Sequence, residues 1–182
     1  MIRRLLRRPV TWILAAVLVA GGAFGLYWFA PWRLFTSSTV NEALPSVGPT
    51  VDPATSAPAT APAPTNTLLA SGTLITHEHD TRGSVRLVRL ADGRVQLTLE
   101  NLATSDGPDL HVWLTDQPVI PGRDGWHVFD DGSYVELGAL KANNGNQVYA
   151  VPADADLDAL TSVSIWCKRF AVSFGAAELK PA

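Results

Sequence analysis

Val95-Gln96-Leu97-Thr98-Leu99 alternates aliphatic and polar residues, and it follows Ala91-Asp92-Gly93-Arg94, whose Asp-Gly pair is a strong hairpin-turn signal. A period of two puts Val95, Leu97 and Leu99 on one face of a half-buried strand. Val85 and Leu87, before the turn, begin the partner strand, and Ser71 to Thr76 is apolar enough for a strand ahead of it. Leu110, Val112 and Leu114 share one parity, with His111 and Trp113 on the other. Tyr134 to Leu140 and Gln147 to Val151 continue the series, and Asn143-Asn144-Gly145-Asn146 between them carries a strong turn signal. Val163, Ile165 and Cys167 share a face, and Phe170, Val172 and Phe174 alternate in the last strand. Only Asp156 to Leu160 suggests a helical turn. The pattern predicts an all-β domain over residues 67–182, an antiparallel β-sandwich or barrel of seven to eight strands, long enough for one core.

The chain N-terminal to this domain is of another kind. Residues 36–66 run through Pro-Ala-Thr-Ser-Ala-Pro-Ala-Thr-Ala-Pro-Ala-Pro, with too few large apolar side chains to offset the entropy of ordering them. They read as a disordered linker, and roughly 31 residues reach between about 30 Å as a flexible coil and about 95 Å as polyproline. The Thr/Ser content also suits O-glycosylation. Upstream of the linker, no charged residue occurs between Arg8 and Arg33. About 24 residues at about 1.5 Å each span about 36 Å, more than the roughly 30 Å of a hydrocarbon core.

Residues 1–35 are therefore expected to form a basic cytoplasmic N-terminus and a transmembrane helix, with the bilayer as partner of residues 10–32. Trp12, Tyr27, Trp28 and Trp32 sit at the headgroup levels, and Arg3, Arg4, Arg7 and Arg8 against Arg33 orient the helix. That orientation leaves the β domain extracytoplasmic in a single-pass cell-membrane protein. A cleaved signal peptide is the competing reading, because Ala20-Gly21-Gly22-Ala23 supplies small residues, but Phe24 to Phe29 prolongs the apolar run beyond a normal signal core. A bacterial lipid anchor would need a cysteine just after the apolar segment, and the only cysteine is Cys167.

From Ser71 onward there are nine Lys/Arg against fifteen Asp/Glu, so the domain is acidic and would repel a phosphate backbone; nucleic acid is not an expected partner. One cysteine makes no internal disulfide. Cys167 reads either as a small hydrophobe on an apolar parity or as a reactive thiol whose neighbours Lys168 and Arg169 stabilise a thiolate. His77-Glu78-His79-Asp80 would put two imidazoles on one side of an extended strand, a spacing suited to metal, although no third ligand is evident. His111 and His127 are uninformative alone, and a His/Cys/Met copper site lacks its methionine, since Met1 lies beyond the apolar segment. Trp113, Trp126 and Trp166 are expected in the core. Asp106-Gly107-Pro108-Asp109 reads as a tight loop, and neither a phosphate loop nor a nucleophile elbow is present.

Gly107-Pro108-Asp109-Leu110-His111-Val112-Trp113-Leu114, Leu137-Gly138-Ala139-Leu140-Lys141, Gly145-Asn146-Gln147-Val148-Tyr149, Val151-Pro152, Ser162-Val163-Ser164-Ile165-Trp166-Cys167-Lys168-Arg169-Phe170 and Phe174-Gly175-Ala176-Ala177-Glu178-Leu179 together resemble the DM-thirteen domain, also called the DOMON-associated electron-transfer domain. The resemblance spans nearly all of Ser71 to Leu179. It implies a β-sandwich with a characteristic cysteine, falling on Cys167, and a redox or electron-transfer role, with a redox partner protein. Whether the thiol cycles with a partner, holds haem or metal, or is oxidised to a sulfenic acid stays open, and the cofactor is unknown. His77 and His79 inherit nothing from it. The expected function is a membrane-tethered electron-transfer accessory module acting through Cys167, with Trp166, Lys168 and Arg169 shaping its surroundings. The alternative is a surface module that binds a cell-wall component or another protein and keeps Cys167 for structure.

Overall fold

The computed structural model describes residues 9–48 and 65–182. The basic segment 1–8 and the central part of the expected linker, 49–64, lie outside the described residues. Helix α1, Pro9–Phe29, holds 21 residues, about 32 Å at 1.5 Å per residue. It exposes apolar side chains all round, among them Trp12, Leu18 and Tyr27, and is long and apolar enough to cross a membrane. A short 3-10 turn, Pro31–Phe35, follows it.

Two sheets form a sandwich. The first runs β1 (Thr39–Asn41), β8 (Asn144–Val151), β5 (Val95–Ala103), β4 (Arg82–Arg89), β2 (Thr67–Thr73) and β11 (Lys180–Pro181) in spatial order. The second runs β3 (Ile75–Thr76), β10 (Val172–Glu178), β9 (Ser162–Cys167), β6 (Leu110–Thr115) and β7 (Tyr134–Ala139). The eight longer strands answer to the alternation in the sequence. The other three, β1, β3 and β11, are edge pieces of two or three residues, too short for periodicity to reveal.

The Asp-Gly hairpin forms as expected: Gly93 sits at φ 89°, and Leu90 N–H donates to the Arg94 carbonyl at 2.8 Å. Val85, Leu87, Leu97 and Leu99 from the first sheet meet Leu110, Val112, Leu114, Val163 and Ile165 from the second. Each such side chain gains about 1.5–3 kcal/mol from leaving water. A second, smaller cluster lies on the opposite face of the five-stranded sheet, where Trp113, Trp166 and Ala176 are roofed by Phe129 with Val119 and Val128.

Two expectations need correction. The linker was expected to begin at residue 36, yet Thr39–Asn41 pairs parallel with Asn144–Asn146. Asn143 to Asn146 was expected to turn, yet Asn144 to Asn146 belongs to β8 and is bonded on both sides. The same physics explains both. Gly145 lies at φ 99° and a Cβ there would come within 2.0 Å of the Val40 carbonyl oxygen, so the glycine serves close strand approach rather than a turn. Asn143 Oδ1 accepts from Ser38 N–H at 2.7 Å, fixing the chain ahead of β1. Asp156 to Leu160 forms turns, with Leu160 N–H donating to the Asp156 carbonyl at 3.1 Å.

Candidate functional site

Cys167 ends β9, paired with Leu110 on β6 and Val172 on β10. Strand alternation sends Val163, Ile165 and Cys167 into the space between the sheets, and Ser162, Ser164 and Trp166 to the outer face. Cys167 is 0% exposed and joins the main core. Burial pushes its thiol up from the ordinary value, offset only in part by the backbone amides of Phe170 and Arg169. The thiol is therefore protonated at neutral pH, and a poised thiolate is not its resting form.

The residues expected to surround the sulfur are placed otherwise. Trp166, one residue away, points to the opposite face, so it does not pack around Cys167. Lys168 Nζ donates to Glu136 Oε2 at 2.9 Å, and Arg169 Nη1 donates to the carbonyl of Trp28 at 2.9 Å. Both cations are thus committed elsewhere. The turn after Cys167 is closed by Phe170 N–H to the Cys167 carbonyl at 3.3 Å, with Ala171 at φ 48°.

That turn abuts the end of α1. Phe170 stacks on Phe29 with centroids 5.8 Å apart, and the Arg169 guanidinium lies over Trp28 at 5.5 Å. Arg33 Nη1 donates to the Gly107 carbonyl at 3.1 Å. Between helix end and domain lies a cavity of about 290 Å³, lined by Phe29, His79, Asp106, Pro108, Phe170 and Phe174 among others. Cys167 therefore stands at the end of the sandwich that meets the apolar helix.

His77 and His79 are not brought together. His77 is buried, its Nδ1 2.9 Å from Ser173 Oγ and its ring stacked on Phe129 at 5.8 Å. Desolvation holds that imidazole below its usual value, so it is neutral. His79 is tilted against Phe174 at 4.0 Å. The extended strand expected here is absent: β3 ends at Thr76 and residues 77–79 bend, which sends His77 toward Ser173 and Phe129 and His79 toward Phe174. Among the described residues no three His, Cys, Asp or Glu side chains come together as a metal-binding group.

What the sequence reading missed is a charged row beside Trp166. His111 stands opposite Trp166 in the β6–β9 register. Its Nε2 lies 3.1 Å from Asp109 Oδ1 and its Nδ1 2.7 Å from Glu136 Oε1. The Lys168 hydrogen bond, with smaller help from His111, holds the Glu136 carboxyl below the usual range. The four residues span positions 109 to 168, and only strand register unites them; the one local signal was that His111 shares parity with Trp113.

A family model described as an electron transfer domain, DM13, matches residues 73–179. The chain belongs to the DM13 electron-transfer family. The DM13 match runs from the last residue of β2 to the residue before β11, and so takes in Cys167, Asp109, His111, Glu136 and both buried tryptophans of the outer cluster. The DM13 resemblance read from the sequence is thereby confirmed. No curated protein and no solved structure matches the chain.

Proposed function

We propose that the chain is an electron-transfer module tethered to a cell membrane by α1, with its DM13 domain extracytoplasmic and Cys167 as the residue through which it works. Family membership carries the electron-transfer part of this reading. Two placements support the rest: α1 has the length and composition of a span, and the turn after Cys167 lies against the helix end. A redox partner in the same membrane would meet this end of the domain. Disulfide exchange and sulfenic acid formation both need the sulfur to be reached, whereas an outer-sphere oxidant draws one electron from a sealed thiol without touching it, the thiol proton leaving toward the Asp109 carboxylate as the thiyl radical forms. The burial of Cys167 therefore favours single-electron passage over bond exchange.

The test is a redox titration, with spectra, of the full-length protein purified in detergent, beside Cys167→Ser. A redox-active signal present in the parent and lost in the folded variant is expected. Equal behaviour of the two, with both folded, would remove Cys167 from the mechanism. The same burial also favours a second reading, a ligand-binding or adhesion module whose cysteine is structural. On that reading Cys167→Ser keeps its partner and only loses stability.

A further inference from the structure

The outer face of the five-stranded sheet holds a row of oxidisable rings. Tyr134 is 45% exposed, while Trp113 and Trp166 are 3% and 1% exposed. The Tyr134 and Trp113 rings lie 3.9 Å apart at 3°, and Trp113 lies 5.2 Å from Trp166 at 28°. Trp166 is the covalent neighbour of Cys167. The Tyr134 and Trp113 rings are thus parallel and in van der Waals contact on a partly exposed edge, the closest approach through which an electron passes between two side chains. The other ring touching Trp166 is Phe129, at 6.2 Å, and a phenyl group is far harder to oxidise, so the row of oxidisable rings leads one way, outward.

We propose that Trp166, Trp113 and Tyr134 form a one-electron relay that carries an oxidising equivalent from beside Cys167 to the exposed edge of the sheet. It rests on the electron-transfer reading of the domain but not on the sulfur being the redox atom. A one-electron oxidant of high potential, such as an oxidising radical or a ferryl haem, takes one electron from Trp166. Trp113 refills Trp166, and Tyr134 refills Trp113. Trp113 Nε1 is buried without a hydrogen-bond partner, so the transient Trp113 radical cation has no base to take its proton and stays an intermediate. Tyr134 differs because it meets water: its phenol proton leaves to solvent, and the hole rests there as a tyrosyl radical. A reductant of the ascorbate or thiol class then returns one electron and one proton. The net change is one electron and one proton from the reductant, the electron reaching the original oxidant and the proton replacing the one Tyr134 released.

Pulse radiolysis of the full-length protein in detergent, with azidyl radicals as the oxidant, tests this without any physiological partner. Azidyl radicals attack tryptophan preferentially. The tryptophanyl absorbance should decay at a rate independent of protein concentration, with matching growth of tyrosyl absorbance. The chain has only three tyrosines, Tyr27, Tyr134 and Tyr149, so Tyr134→Phe assigns the product. That variant should lose the tyrosyl growth, and Trp113→Phe should slow it at least tenfold although Tyr134 remains. Both variants are accepted only with unchanged circular dichroism, and Tyr134→Phe, altering one exposed hydroxyl, provides the test should Trp113→Phe fail to fold. No tyrosyl growth in the parent, or growth indifferent to Tyr134→Phe, overturns the relay. Cys167→Ser should leave this transfer unchanged, so failure of the cysteine mechanism and failure of the relay are read separately.

Discussion

Replacing Cys167 by serine puts a hydroxyl where the structure leaves no solvent surface, between Leu110 and Val172 and within an aliphatic cluster. The Phe170 and Arg169 amides face the sulfur, but the shorter C–O bond draws a hydroxyl back from them, and burying a poorly satisfied hydroxyl costs about 1–3 kcal/mol. A domain of this size shifts its Tm by about 4 °C per kcal/mol, so Cys167→Ser should melt about 4–12 °C below the parent. An exposed thiol would behave differently, since surface substitutions stay within about 0.5 kcal/mol. The same burial sets the labelling rate. Alkylation needs the thiolate in contact with reagent, and burial both raises the thiol and hides it, so labelling must wait for the turn at Lys168 to Ala171 to open. An opening cost of about 2.7 kcal/mol or more makes native labelling at least about 100-fold slower than labelling in denaturant. Calorimetry and mass-spectrometric alkylation read the two quantities. A serine variant that melts with the parent, together with native labelling at the denatured rate, would refute the placement of this side chain in the core.

Three other outcomes are expected. The His77 imidazole has a folded pKa held below its unfolded value of about 6.5, so its neutral, buried form contributes stability above that pH. That stability is lost as pH falls below it toward the lowered native value; Tm should drop between pH 7.5 and 5.5, and His77→Gln should flatten the slope across this window. Gly145→Ala brings a Cβ against the Val40 carbonyl at a φ of 99°, so β1 should detach, and amide exchange at Val40 and Glu42 should lose its protection while β4 and β5 keep theirs. Unchanged exchange there would contradict the parallel β1–β8 pairing. The full chain should stay with the membrane pellet through an alkaline carbonate wash, whereas release of a shortened soluble form would support cleavage near Ala23 instead.

The sandwich was legible because alternation reports burial directly. Leu97 and Leu99 faced the core as their parity required, and Val163, Ile165 and Cys167 did so together, although parity alone left a packed and a reactive sulfur both open. The separation of His77 from His79 was not legible, since their spacing suits one side of a strand while β3 stops at Thr76 and the chain bends over residues 77–79. Lys168 and Arg169 follow Cys167 in the chain, yet their head groups reach Glu136 and the end of α1, because β9 ends at Cys167 and the turn after it swings both side chains away from the core.

By itself the sequence determined the apolar helix, the β-rich domain, its acidity and its family, for these follow from composition, period and local motif, which are properties of neighbours along the chain. The tertiary structure decided which faces were sealed, that Gly145 admits β1, and that Asp109, His111, Glu136 and Lys168 meet beside a stack of Tyr134, Trp113 and Trp166. These depend on strand register between segments far apart in sequence, where a shift of one residue turns every side chain to the other face.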